Sequence, residues 1–284
     1  AFGRPATANL RWLEDFWSIE PTPGSGSVWL NRPGAVRRAV PAEQRWADAI
    51  NAQPLSTGTV REQLQQLASA GEVIAPHGAA MANLLAAAAG GLVQALRRAD
   101  VEVDVLLPDY GGVTLDSEER IPLDLPGWAG PGSIRIGDHP AIGRVHLVDV
   151  PGIARSHPYL QPDGRGWLDN TERFLRFARA VAAHVDATRP DLVHLNDWHT
   201  ATAMAAIDAS IPSVLSLHNL AHQGATGAEW IPLIGERGHH FEWWGGMNPL
   251  SGAIALADRI VAVSPNHARE IREPGSGFGL DELL

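Results

Sequence analysis

The chain contains no cysteine, so disulfides, thiolate nucleophiles and thiolate metal ligands are all excluded. That absence fits a reducing compartment, and the cytoplasm is the expected location. Positive charge is scarce too: Lys and Arg total 22 against 32 acidic residues, a formal net charge of -10. Neither a nucleic-acid backbone nor an anionic membrane is an expected partner for such a surface. Long apolar runs are missing, so a soluble chain without a bilayer-spanning segment is expected. Ala1 to Gln44 mixes polar, Pro and Gly residues and lacks the charged end and apolar core of a secretory signal. The sequence opens without Met, and the native N-terminus is expected to be missing. No Gly-x-Gly-x-x-Gly turn follows a strand in a suitable place, which removes the basis for a nicotinamide or flavin module.

What is there suffices for a large α/β domain: 284 residues, 45% of them hydrophobic. Ten Trp against two Tyr is a large Trp share. Flat indole faces pack on sugar rings as well as in cores, and a neutral polymer such as a glucan is compatible with the acidic surface. Residues 1 to 70 are distinct, with a Pro-Thr-Pro-Gly-Ser-Gly-Ser linker at 21 to 27 and an amphipathic helix expected over Thr59 to Ala70, capped by Ser56 or Thr57. A packing arm is the expected role.

From Glu72 onward the pattern becomes strands alternating with helices. Strands are expected at Val73 to Ala75, Val101 to Leu107, Arg144 to Val150, Asp191 to Leu195, Ser213 to Leu217 and Arg259 to Val263. Helices are expected over Ala79 to Ala99, Asn170 to Val185, from about Ala201, through Leu250 to Ala257, and from Pro265. Such alternation implies a mainly parallel sheet covered on both faces, with ligands beyond the carboxyl ends of its strands.

Three strand ends carry polar residues. Pro190-Asp-Leu-Val-His-Leu-Asn-Asp-Trp-His-Thr200 runs from a strand into a helix start, placing Asp197 and His199 at the ligand-bearing edge. Asp197 also fits a helix cap, and His194, Asp197 and His199 together compose a weaker metal set. Ser216-Leu-His-Asn-Leu-Ala-His-Gln-Gly224 places His218 and Asn219 where a strand finishes. A neutral His and an Asn suit sugar hydroxyls better than a metal, although a buried structural role fits His218 alone. At the third end, Ser264 reads as a helix cap with Pro265 at the first helical position.

In order and spacing these stretches resemble bacterial glycogen synthases and plant starch synthases, glycosyltransferase family 5. The first is similar to their His-x-His-Asp-Trp-His segment, with Asn196 in place of a His. The second is similar to His-Asn-Leu-Ala-Tyr-Gln-Gly, with His222 in place of Tyr. Ala257-Asp-Arg-Ile-Val-Ala-Val-Ser-Pro265, Ala268 to Ile271 and the tail Phe278 to Leu284 continue the likeness. The resemblance implies a Rossmann-like doubly wound parallel sheet, the N-terminal, acceptor-side half of a GT-B glycosyltransferase, spanning residues 71 to 284. It implies retaining transfer of glucose from ADP-glucose or UDP-glucose to an α-1,4-glucan, with no metal and no cofactor beyond the sugar nucleotide. His218 and Asp197 match the family's active-site histidine and aspartate. Asn219, Tyr159 of Ser156-His-Pro-Tyr159, Trp198, His199 and Gln223 match its sugar-contact segments.

Two departures bear on activity. Where the family has Lys-Thr-Gly-Gly-Leu-Gly-Asp-Val, a loop that cradles phosphates, the register gives Met81-Ala-Asn-Leu-Leu-Ala-Ala-Ala88, and a second family lysine is replaced by Ser251. The chain also ends at Leu284, before the family's nucleotide-binding C-terminal domain. The expectation is therefore either a glucosyltransferase half needing a separate C-terminal half, or a catalytically inactive pseudo-glycosyltransferase binding glucan or a protein partner. Arg237 to Asn248, with Trp243 and Trp244, is the candidate platform or docking face.

Overall fold

The computed structural model describes the backbone of Ser27–Trp29, Ala52–Pro54 and Glu72–Ile74 together with residues 92–93, 96–139, 143–155, 157–161 and 163–284. The expected helix at Thr59 to Ala70, its caps and the Met81 to Ala88 segment lie outside the described residues. The chain divides into two compact units, one of residues 1–105 and 138–145, the other of residues 106–137 and 146–284. In the first, strands β1 (Ser27–Trp29), β2 (Ala52–Pro54) and β3 (Glu72–Ile74) form a parallel sheet in the order β2-β1-β3. Residues 96–98 are helical and stop at Asp100, whose φ of 58° turns the chain so that Val101 N–H returns to the Leu96 carbonyl. The strand expected from Val101 therefore begins only at Val105, as β4 (Val105–Pro108).

In the second unit the core is built around α1 (Asn170–Thr188), whose Phe174, Phe177, Ala178, Val181, Ala182 and Val185 recur at helical spacing and are buried. The helix ends at Arg189, in the left-handed region with φ 49°, just before Pro190. A parallel sheet of order β12-β9-β8 packs into the same core, with β8 at Val193–Asn196, β9 at Ser213–Leu217 and β12 at Arg259–Ala262. A four-stranded sheet of order β4-β7-β6-β5 adds β5 (Asp116–Leu123), β6 (Gly132–His139) and β7 (Gly143–Asp149). Of these, β5 and β6 were not expected from the sequence. The α/β class with parallel sheets is as expected.

The remaining elements fix strand ends. The helix expected from about Ala201 starts earlier, as α2 (Asp197–Ala201), because the chain turns directly out of β8 at Asp197. Further along the chain, β10 (Glu242–Trp243) and β11 (Gly246–Met247) form an antiparallel hairpin with a two-residue loop. α3 (Pro249–Leu256) is capped by Asn248 and α4 (Pro265–Glu270) by Ser264, whose hydroxyl accepts from His267 N–H at 3.1 Å. Among the described residues no helix is long and apolar enough to cross a membrane.

Candidate functional site

Strands β8 and β9 run parallel with Asn196 opposite Ser216, so their carboxyl ends deliver Asn196, Asp197 and His218 to one place. Side chains alternate along a strand, and Val193 and Leu195 take the buried side of β8. His194 and Asn196 therefore share the other face, as do Ser216 and His218 on β9. Each pair is joined: His194 Nε2 lies 2.7 Å from Ser216 Oγ, and His218 Nε2 lies 3.1 Å from Asn196 Oδ1. His194 is thus engaged with Ser216 rather than gathered with Asp197 and His199.

Asp197 does not cap its helix. Its φ of 52° turns the side chain across to the next strand, where Oδ1 accepts the backbone N–H of His218 at 2.8 Å, with the backbone N–H of Asn219 also directed at the carboxylate. A left-handed conformation costs a non-glycine residue about 1–2 kcal/mol, least for Asp and Asn, and such outliers concentrate where geometry is imposed by a site. Burial pushes the Asp197 carboxyl up to about 6 from 3.8, even against those two amide hydrogen bonds. The carboxylate thus serves as a clamp on the loop after β9.

Around this clamp the structure assembles an aromatic layer. His199 stacks between Trp198 at 4.3 Å, Phe174 at 4.7 Å and Tyr159 at 5.3 Å between ring centroids. Burial drives its imidazole down to about 3, aided by His222, Arg173 and His218. Burial raises the Tyr159 hydroxyl to about 12, with the Asp197 charge adding to the effect. The histidines at 194 and 218 are likewise held below the usual imidazole range by burial. At neutral pH the site therefore presents the neutral rings of His194, His199, His218 and Tyr159 beside the Asp197 carboxylate, with the Arg173 cation bonded to Asn170 and the Pro158 carbonyl close by.

The other expected contacts fall as follows. Asn219 Oδ1 accepts from Ala221 N–H at 3.0 Å, folding the loop on itself. Gln223 Nε2 donates to the carbonyls of Leu220 and Phe278, and its Oε1 accepts from Asn248 at 2.6 Å, so its amide ties three segments together. Trp198 is only 9% exposed and lies under Gly224, whose φ is 73°. Tyr159 is held from the backbone, its carbonyl accepting from Asn170 at 2.9 Å.

Two functional positions were missed from sequence. Arg173 has no exposed surface, yet sits in the apolar stripe of α1 and bonds Asn170 Oδ1 and the Pro158 carbonyl, holding the Tyr159 loop. A cation in phase with Phe174, Phe177 and Val181 was the available signal. Asn248 caps α3 and anchors Gln223 at once; its partners are far apart in sequence, so no local signal announced it.

A family model described as starch synthase catalytic domain matches residues 76–284, which include all three strand-end motifs. The chain belongs to the starch synthase catalytic domain family. It is 38% identical over 221 residues to the glycogen synthase of Thioalkalivibrio sulfidiphilus, covering 70% of this chain and 46% of that one. To the glycogen synthase of Thermus thermophilus it is 36% identical over 233 residues, covering 74% and 47%. The chain thus spans about half the length of the curated relatives it matches. A solved structure, the catalytic domain of starch synthase IV from Arabidopsis thaliana bound to ADP and acarbose, superposes with a TM-score of 0.59. That pair is 24% identical and covers 74% of this chain and 46% of that one, a likeness that gives the fold of about half of a GT-B catalytic domain. All 22 of this chain's basic residues are arginines. Ser251 is buried and spends its hydroxyl on the Asn248 carbonyl at 3.0 Å.

Proposed function

We propose that this starch synthase-family chain supplies the acceptor side of a retaining glucosyltransferase site. Glucose passes from ADP-glucose or UDP-glucose to an α-1,4-glucan once a nucleotide-binding C-terminal half, on a separate chain or a longer version of this one, completes the cleft. The observation that carries this reading is the Asp197 clamp on the β9 loop, which presents His218 at the paired ends of two parallel strands. In retaining transfer the sugar gains positive charge while the diphosphate leaves with negative charge. A neutral His218 binds a sugar hydroxyl without opposing the first, and the Asp197 carboxylate favours it. The diphosphate needs cations, and we assign these to the other half. Mixing the chain with a C-terminal half from a glycogen synthase relative should give glucose incorporation into glycogen, lost in His218→Ala. An inactive mixture with both nucleotide donors would overturn this reading.

The substitution of the family lysine by a buried, internally bonded Ser251 favours a second reading, a glucan-binding protein without catalysis. Under it, the chain alone is retarded in gels containing amylose, and Trp244→Ala reduces the retardation. Unretarded migration in amylose and glycogen gels sinks that reading.

A further inference from the structure

We propose that Asn196 is a positioning residue that fixes the tautomer of His218, keeping the proton on Nε2 and leaving Nδ1 as a bare acceptor for a ligand hydroxyl. The register of β8 on β9 sets the pair face to face, with His218 Nε2 3.1 Å from Asn196 Oδ1. An amide oxygen has only lone pairs, so the proton in that bond belongs to the imidazole. A neutral imidazole holds one proton, and burial keeps His218 neutral, so Nδ1 carries none. Nδ1 is itself buried and has no protein partner. Left without a partner, an acceptor is tolerated better than an N–H donor, which favours the same tautomer. The backbone of the residue is held independently by Asp197, so Asn196 acts on the ring alone. An imidazole at position 196 would offer either a proton or a lone pair, whereas the Asn oxygen offers only the second. The ligand role of Nδ1 rests on the proposed function; the tautomer does not.

Long-range proton–nitrogen NMR of the full chain labelled at histidine nitrogens reads the tautomer directly, with the His218 signals assigned by their loss in His218→Gln. The expected result is an Nε2-protonated ring in the unmodified chain and in Asn196→Asp, and a shift toward the Nδ1-protonated form in Asn196→Leu. An Nδ1-protonated ring in the unmodified chain, or an unchanged ring in Asn196→Leu, overturns the proposal. Should Asn196→Leu fail to fold, Asn196→Ala removes the same acceptor with less bulk and decides the question by the same readout. In the reconstituted transferase Asn196→Leu should lower kcat about tenfold or more, with the glucan KM changed less than about twofold. An Nε2-protonated ring in an inactive mixture would retain the tautomer assignment and remove the glucosyltransferase reading. Transfer without that ring would do the reverse.

Discussion

Replacing Gly224 by Ala tests whether the aromatic layer is as tightly determined as the geometry implies. Gly224 has φ 73°, where an alanine costs about 1 kcal/mol relative to glycine. A Cβ there would lie 2.9 Å from Trp198 Cδ2, closer still to Cε3, and 3.0 Å from Pro249 Cγ. Carbon atoms prefer about 3.5–4.0 Å, so the indole would have to retreat. It has nowhere easy to go, being 9% exposed with Phe174 at 5.3 Å and His199 at 4.3 Å. Overpacking of this kind costs about 1–3 kcal/mol, which with the backbone term makes about 2–4 kcal/mol. For a unit of this size the melting temperature should fall by about 5–15 °C. Urea and thermal unfolding should be followed in the unmodified background and in Trp198→Leu, where the indole clash is gone and only the backbone term of about 1 kcal/mol and the Pro249 contact survive. Equal costs in the two backgrounds, or a cost below about 0.5 kcal/mol in the first, would refute the packing argument.

Asp197→Asn should be more stable than the unmodified chain at pH 7 and equal to it near pH 4. The folded pKa of about 6 exceeds the unfolded 3.8, so the unfolded chain loses its proton first and stability falls as pH rises through this window. The full cost, about 3 kcal/mol from a shift of about 2 units, stands above pH 6 and vanishes below about 4. Chemical denaturation across pH 4–8 checks the slope. Trp244 is 91% exposed and left-handed at φ 54°, with Gly245 at φ 79° completing the hairpin turn. Trp244→Asn gives the favoured Asn-Gly turn and should raise stability by about 0.5–1 kcal/mol, after losing an edge contact with Trp243, as a thermal melt would report. Asn248→Ala removes a cap and strands the Gln223 amide, and should cost about 2–3 kcal/mol in a urea melt.

The strand-end motifs were legible because β8, β9 and β12 are short, apolar and followed at once by polar residues, so composition marked both strand and edge. β5 escaped because Asp116 to Ile121 is exposed on both faces and carries no alternation. β6 did carry a signal, Ile134 and Ile136 around Arg135, but in only one step of the pattern. At Val101 to Asp104 the alternation is present, but among the described residues the strand pairing begins only at Val105. At the site, residue types foretold which side chains meet. They did not foretell that Asp197 reaches over to β9, since that depends on one positive φ, nor that the Gln223 amide turns inward to Asn248 and Phe278.

The Asp197 clamp has a dynamic consequence. One carboxylate accepts the amides of His218 and Asn219, and neither N–H is released to solvent until that contact opens. Hydrogen exchange at the two positions should be a single event with one rate. The base of the loop is thus held by one latch, and its far end by the separate tie of Gln223 to Asn248 and Phe278.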